Sequence, residues 1–256
     1  MVSHTGHDGS FGGALGGTAV PTRAPLRGKS LRASLERISP PESESELLLR
    51  TRALAGRTIS EVAREMGVDE LPDPRRHKGF VGSLIERALG ADAGSSSVPD
   101  FTRINIELKT LPIDVRGRPS ESTFVCTAPV HRIAGEDWQQ SRVRKKLVRV
   151  LWVPVEGDRN LPLAQRRIGT AFCWSPTPQQ DTELGDDWEE IAGVVGRGGV
   201  EALTAHVGRS LQVRPKAANS RIRTRGIDDD EAPMHINPRG FYLRASFTAS
   251  LLDALA

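Results

Sequence analysis

The chain has 256 residues, with 35 lysines and arginines against 32 acidic residues, and only two cysteines. At this length folding buries about 70–75% of the unfolded surface, so no stabilising disulfides are needed. Two cysteines exclude a disulfide-rich scaffold and favour a reducing compartment. No run of eighteen apolar residues is present, and the N-terminus lacks the apolar core of a secretory signal. We therefore expect a soluble, cytoplasmic protein that does not bind membranes.

The net charge of +3 comes from the N-terminal segment. Residues 1–37 hold five cations and two acids, whereas residues 38–256 carry equal numbers of both. Overall charge is thus no argument for nucleic-acid binding, and only local clusters can be one. Residues 1–38 are rich in Gly, Ser, Thr, Ala and Arg, so they cannot bury enough apolar surface to offset ordering entropy. We expect a disordered basic tail over 1–38 and a folded domain over 39–256.

Two capped helices and a third helix are predicted after Pro40-Pro41. Capping boxes at Ser43-x-x-Glu46 and Thr58-x-x-Glu61 each precede an apolar-periodic run. A third helix is predicted over 79–89, where Gly90 provides the stop.

Beyond residue 97 the hydrophobic pattern changes to that of strands. The stretch 104–109 alternates apolar and polar residues, the two-residue repeat of a half-buried strand. Further strands are predicted over 122–130, 148–155 and 240–247, helices over 138–147 and 181–195, and a hairpin over 201–213. Mixed helices and strands around one central sheet indicate an α/β fold.

The segment from Pro99-Asp100 to Glu107-Leu108-Lys109 carries the strongest chemical signal. Residues two apart on a strand share a face, so Glu107 and Lys109 point the same way, with Asp100 at the strand entry. Two acids and a lysine around one point suit metal-assisted phosphodiester cleavage: carboxylates hold Mg²⁺, and a lysine orients water or steadies negative charge. The alternative is a solvated face of alternating charges.

The same segment resembles the PD-(D/E)xK nuclease motif, and its surroundings resemble the MutH family of mismatch-repair endonucleases. The similarity runs in order through about residues 39–256. It rests on Lys78-Gly-Phe-Val-Gly82, Leu84-Ile-Glu86, Glu107-Leu-Lys-Thr-Leu-Pro112, Thr123-Phe-Val-Cys126, Val150-Leu-Trp-Val-Pro-Val-Glu-Gly157, Pro162-Leu-Ala-Gln-Arg-Arg167, Arg214-Pro-Lys-Ala-Ala-Asn219 and Pro238-Arg-Gly-Phe-Tyr-Leu243.

The resemblance implies a fold, an activity and partners. The fold would be restriction-endonuclease-like, with a central mixed sheet flanked by helices and a DNA-binding cleft between two lobes. The activity would be Mg²⁺-dependent nicking of the unmethylated strand at hemimethylated GATC sites in double-stranded DNA. The enzyme would be a monomer activated by MutL, which is itself recruited by MutS.

The resemblance also implies roles for single residues. Glu86, otherwise a solvated helix glutamate, would join Asp100 and Glu107 as a metal ligand, or act as a base. Tyr242, the chain's only tyrosine, would sense the adenine methyl group instead of serving as a core residue. The implied DNA contacts are Lys78, Lys146, Arg214 and Lys216, each of which could also be an ordinary surface cation.

Two further functions stay open at this point. A stand-alone GATC-specific type II restriction endonuclease would share the chemistry, although such relatives often dimerise or carry a second copy of the fold. A helix-turn-helix DNA-binding protein is suggested by residues 58–68. This hypothesis requires a recognition helix at the position of Leu71-Pro72-Asp73-Pro74, where the prolines disfavour a helix.

Overall fold

The computed structural model gives the placement of most of the chain after residue 37. It describes residues 38–73, 77, 79–94, 98–128, 133, 135–199, 203, 206–216, 224–227, 233–236 and 238–255, with the backbone alone for 224–227 and 233–236. The predicted tail over 1–38, apart from Ile38, lies outside the described residues, and so does Lys78.

Six helices lie in the described part of the chain, and local sequence explains most of their ends. They are α1 (Glu44–Leu54), α2 (Ile59–Glu65), α3 (Phe80–Leu89), α4 (Arg142–Leu147), α5 (Pro178–Gly196) and α6 (Ala245–Asp253). The hydroxyls of Ser43 and Thr58 cap α1 and α2, and Thr58 forms the complete capping box with Glu61. Gly90 ends α3 in the left-handed conformation at φ +84°. The three predicted N-terminal helices are therefore confirmed.

Eight strands form three separate sheets in the described residues. They are β1 (Glu107–Ile113), β2 (Thr123–Thr127), β3 (Val150–Glu156), β4 (Phe172–Trp174), β5 (Leu211–Pro215), β6 (Thr224–Ile227), β7 (Pro233–Ile236) and β8 (Arg239–Leu243). The first sheet has the order β1-β3-β4, the second β2-β8-β5, and β6 pairs with β7 alone. β1 and β3 are parallel, whereas β3 and β4 are antiparallel. The α/β class is confirmed, but the expectation of one central sheet is wrong.

The predicted strand over 104–109 begins too early. Residues 102–105 form a tight turn in which Asn105 has φ +55°, and Phe101 and Ile106 bridge across it. A residue with positive φ cannot continue a strand, so β1 starts only at Glu107. The apolar Ile104 belongs to the turn and not to the strand.

Three other predicted elements also change. The region 138–147 splits into a short 3-10 turn over Trp138–Gln140 and the helix α4, because Ser141 caps a new helix. The predicted strand over 240–247 ends at Leu243, after which α6 begins. β5 pairs with β8 and not with a preceding strand, so the described part of the predicted hairpin, Leu203 and residues 206–213, does not form one.

The sheet β1-β3-β4 lies between two hydrophobic clusters. Leu108, Leu151 and Val153 belong to the cluster shared with α1, α2 and α3. Leu111 and Trp152, on the opposite face, belong to the cluster shared with α5 and the second sheet. Alternate residues of β1 therefore pack into different hydrophobic clusters. Glu107 and Lys109 lie on the same face of the strand as Leu111.

No helix in the described residues is long and apolar enough to cross a bilayer.

Candidate active site

The first acid of the predicted site is fixed by the edge of β1. Because the Glu107 N–H donates toward β3, to the carbonyl of Arg149, the next N–H along the strand faces the free edge. That Leu108 N–H donates to Asp100 Oδ2 at 2.8 Å. Asp100 precedes the tight turn and Glu107 follows it, so the turn brings both carboxylates to one end of the strand. Asp100 and Glu107 therefore lie at the same end of β1.

Two lysines flank the Glu107 carboxylate. Lys109 Nζ donates to Glu107 Oε1, and Lys146 Nζ, from α4, donates to Oε2 at 2.8 Å. Lys146 also donates to the Val98 carbonyl at 2.5 Å and is only 6% exposed. Glu107 is 3% exposed, and a buried carboxylate is tolerated only where cations and donors pair with it. The family resemblance implies that Lys146 contacts DNA, and in the structure its ammonium lies beside Glu107.

Glu86 lies on α3 and is half-buried, so it is not the solvated helix glutamate of the alternative interpretation. Burial raises the pKa of its carboxyl group, and the negative charge of Asp100 adds to that rise. Burial also raises the pKa of Asp100, with repulsion from Glu107 as the next cause. The three acids therefore interact through their charges, as groups around a common cation site do.

The donor chemistry of these acids fits a hard divalent cation, since carboxylate oxygens are the ligands that Mg²⁺ and Ca²⁺ prefer. Repulsion among Glu86, Asp100 and Glu107 is the kind that a cation relieves. In the residues that the structure describes, no three Asp, Glu, His or Cys side chains stand at coordinating positions. Both Glu107 oxygens bond to lysines instead, so a cation would share Glu107 with them.

A second group of predicted residues lies on the β2-β8-β5 sheet. Tyr242 on β8 has Phe124 of β2 and Gln212 of β5 as its strand neighbours. The guanidinium of Arg214 lies 5.7 Å from the centre of the Tyr242 ring, and Lys216 Nζ lies 4.8 Å from that of Phe124. The two rings meet edge to face at 5.4 Å. We call these four residues the aromatic-cation surface.

The aromatic-cation surface is partly exposed. Arg214 and Lys216 are exposed, whereas Phe124 and Tyr242 are half-buried. Burial raises the pKa of the Tyr242 phenol, so it stays a neutral hydrogen-bonding group at physiological pH. Exposed cations beside aromatic faces are suited to contact with bases and phosphates.

Not all of the predicted basic residues are available to a ligand. In the run 142–146, Arg144 is engaged by Asp181 at 3.0 Å and Lys146 by Glu107, while Lys145 is exposed. Arg144 and Lys146 are therefore paired with acids of the protein itself. Lys78 lies outside the described residues.

Two residues of the site were missed from the sequence. Phe124 could not be assigned a role from the sequence, because its place opposite Tyr242 depends on strand pairing that sequence does not give. Thr127 accepts a hydrogen bond from Lys216 Nζ at 3.0 Å and holds that side chain against β2. The signal in the sequence was the two-residue repeat of a strand, which would put Thr123, Val125 and Thr127 on one face. A bulge between Phe124 and Cys126 disrupts this repeat.

Comparison of the sequence with known proteins identifies the family of the chain. The family model for "DNA mismatch repair enzyme MutH" matches residues 89–187. A DNA mismatch repair protein MutH of Shewanella baltica (strain OS185) is 51% identical over 219 residues, which cover 86% of this chain and 98% of that protein. The chain belongs to the MutH family.

Other MutH proteins match to a similar extent. That of Shewanella oneidensis is 49% identical over 219 residues, and that of Shewanella sp. (strain MR-4) is 50% identical over 216 residues, 97% of its length. Membership of the MutH family makes the chain a metal-dependent DNA endonuclease of mismatch repair. Family membership argues against the non-enzymatic helix-turn-helix alternative. That alternative also requires a recognition helix directly after α2, and none is present in the described residues 67–73 and 77.

Proposed function

We propose that the protein is a Mg²⁺-dependent endonuclease that nicks the unmethylated strand of DNA at hemimethylated GATC sites. The observation that carries this proposal is the Glu107 carboxylate held between two lysines, with Asp100 and Glu86 interacting electrostatically beside it. Carboxylates for a cation and ammonium groups for developing phosphate charge are the two requirements of phosphodiester hydrolysis.

Asp100, Glu107 and Glu86 would hold the Mg²⁺, with Glu86 as second ligand or base. When bound, Mg²⁺ supplies a Lewis acid and lowers the pKa of coordinated water. Lys109 is half-buried on the same strand face as Glu107, from which its ammonium orients the attacking water or stabilises negative charge on the phosphate. Lys146 holds the second Glu107 oxygen and places another positive charge near the cleaved backbone.

The aromatic-cation surface would read the DNA sequence. Arg214 and Lys216 are exposed cations of the type that contacts guanine O6 and N7, or phosphate. Tyr242 would discriminate the adenine methyl group by shape, since a methyl group adds apolar volume next to a half-buried ring. Lys78 would contact the DNA backbone, as the MutH family resemblance implies.

We further propose where the DNA binds and which partner proteins activate the enzyme. DNA would lie in a cleft between two lobes, and a cytoplasmic monomer would be activated by MutL after MutS has found a mismatch. The similarity to MutH proteins over 86% of the chain supports this proposal over a stand-alone restriction enzyme.

A plasmid nicking assay separates these possibilities. Supercoiled DNA with one GATC site is prepared unmethylated, hemimethylated and fully methylated, and incubated with Mg²⁺ with and without MutL. We expect open-circular product from the first two substrates, no cleavage of the third, and a higher rate with MutL. Linear product at low enzyme concentration would favour the restriction enzyme, and loss of GATC dependence would overturn the proposal.

A further inference from the structure

Asp100 depends on contacts outside the sheet for its position. Glu107 and Lys109 are fixed by the ladder with β3, but Asp100 lies in a bend before β1. Among the described residues, the Leu108 N–H donates to its carboxylate. The backbone of residues 100–102 must therefore be held by something else if the carboxylate is to stay in register with Glu107.

Asp92 contacts this backbone from both sides. Its N–H donates to the Asp100 carbonyl at 3.0 Å, and the N–H of Ala93 donates to the same oxygen at 3.2 Å. Its carboxylate accepts from the Thr102 N–H at 2.9 Å and from the Thr102 hydroxyl at 2.6 Å. One residue thus holds Asp100 and Thr102, the two positions on either side of Phe101.

Asp92 also joins this turn to the helix that carries Glu86. Gly90 ends α3, and the Ala91 N–H donates to the Glu86 carbonyl at 2.9 Å, so Asp92 follows the helix directly. The turn that it holds contains Asn105 at φ +55°, a conformation that costs free energy and persists only where neighbouring contacts impose it. The contacts of Asp92 are suited to impose it.

We infer that Asp92 is a positioning residue for the cation site, which fixes the Asp100 turn relative to α3 and so sets the spacing of Asp100 from Glu86 and Glu107. The inference rests on the proposed function, because it takes Asp100 as a cation ligand. Asp92 is exposed, yet its carboxylate binds both the N–H and the hydroxyl of Thr102 while its own N–H binds the Asp100 carbonyl. Groups that orient metal ligands typically change metal affinity about 10- to 100-fold when they are removed.

The variant Asp92→Ala tests the inference. We expect the Mg²⁺ concentration for half-maximal nicking to rise about tenfold, with most of the rate restored at saturating Mg²⁺. Isothermal titration of Ca²⁺ into the protein–DNA complex should show a similar loss of affinity without any cleavage. Asp92→Asn keeps an acceptor for the Thr102 N–H and a partner for its hydroxyl, so it should behave as the unmodified protein.

Asp114→Ala is the matched control. Asp114 is an exposed aspartate that accepts from the N–H groups of Arg116 and Arg118, and it lies at the other end of β1. Its loss should not change either Mg²⁺ or Ca²⁺ dependence. Unchanged metal dependence in Asp92→Ala, or an equal change in Asp114→Ala, would overturn the positioning role. If the unmodified protein needs no Mg²⁺, or if Asp100→Asn leaves Ca²⁺ binding intact, the proposed cation site itself fails.

Discussion

At the scale of single residues, the distribution of lysine is informative. The chain has 35 cationic side chains but only six lysines, and two of these six meet at Glu107. A lysine ammonium is a compact point charge, whereas an arginine guanidinium is a planar fork that binds carboxylates through paired donors. The preference for lysine here agrees with a role that needs a point charge beside Glu107.

Replacing Lys109 by alanine should separate chemistry from binding. We expect Lys109→Ala to lower the nicking rate roughly 100- to 1000-fold, because it removes a positive charge from the reacting phosphate. The fold and the affinity for GATC duplexes should persist, since Lys146 still pairs with Glu107. Single-turnover nicking and fluorescence anisotropy measure the two quantities. Lys145→Ala removes an exposed lysine from α4 and should leave the rate unchanged; full activity in Lys109→Ala would remove this lysine from the mechanism.

At the scale of secondary-structure elements, the aromatic-cation surface depends on strand β8. β8 pairs with β2 on one side and β5 on the other, so Tyr242 is aligned with residues more than 100 and about 30 positions away in the chain. Gly240 makes room for the rings: a Cβ there would lie 2.8 Å from Phe124 Cε2 and 3.1 Å from Tyr242 Cε2. The ring geometry is thus a property of the strand and not of Tyr242 alone.

Truncating the ring on β8 should blunt methylation sensing. We expect Tyr242→Ala to reduce the ratio of nicking rates on hemimethylated and fully methylated GATC, because the shape that excludes the methyl group is lost. One methyl group against an apolar surface is worth about 1–3 kcal/mol, so a ratio of 10- to 200-fold is at stake. Tyr242→Phe keeps the ring and should retain most of the discrimination. An unchanged ratio in Tyr242→Ala would exclude a sensing role.

Elements whose determinants are local in sequence were predictable, and those that depend on distant pairing were not. Ser43, Thr58 and Gly90 act within one helical turn, so the sequence located the first three helices. The start of β1 was misplaced because the apolar Ile104 hides a turn in which Asn105 is left-handed. The acids and lysines of the site could be named from motif and family resemblance. The proximity of Lys146 to Glu107 could not, because it depends on where the fold places α4 relative to the start of β1.

At the scale of the whole molecule, a buried aspartate helps to join α5 to the second sheet. Asp187 is 3% exposed, and its carboxylate accepts from the N–H groups of Arg209, Ser210 and Leu211, each at 2.7 Å. These residues lead into β5, which carries Arg214. The cluster between α5 and this sheet includes Trp188 and Phe241, whose rings stack at 5.1 Å. Asp187 therefore holds together two layers that share one hydrophobic core.

Loss of the Asp187 carboxylate should destabilise the whole fold. Asp187→Ala leaves three backbone donors without an acceptor, two of them in buried hydrogen bonds, and each such loss costs about 1–3 kcal/mol. We expect the free energy of unfolding to fall by roughly 3–5 kcal/mol and the melting temperature by about 10 °C, as read by calorimetry. Asp186→Ala changes the exposed neighbour on α5 and should shift stability by less than about 0.5 kcal/mol. Equal melting temperatures for the two variants would show that α5 and β5 are held together by apolar packing and not by Asp187.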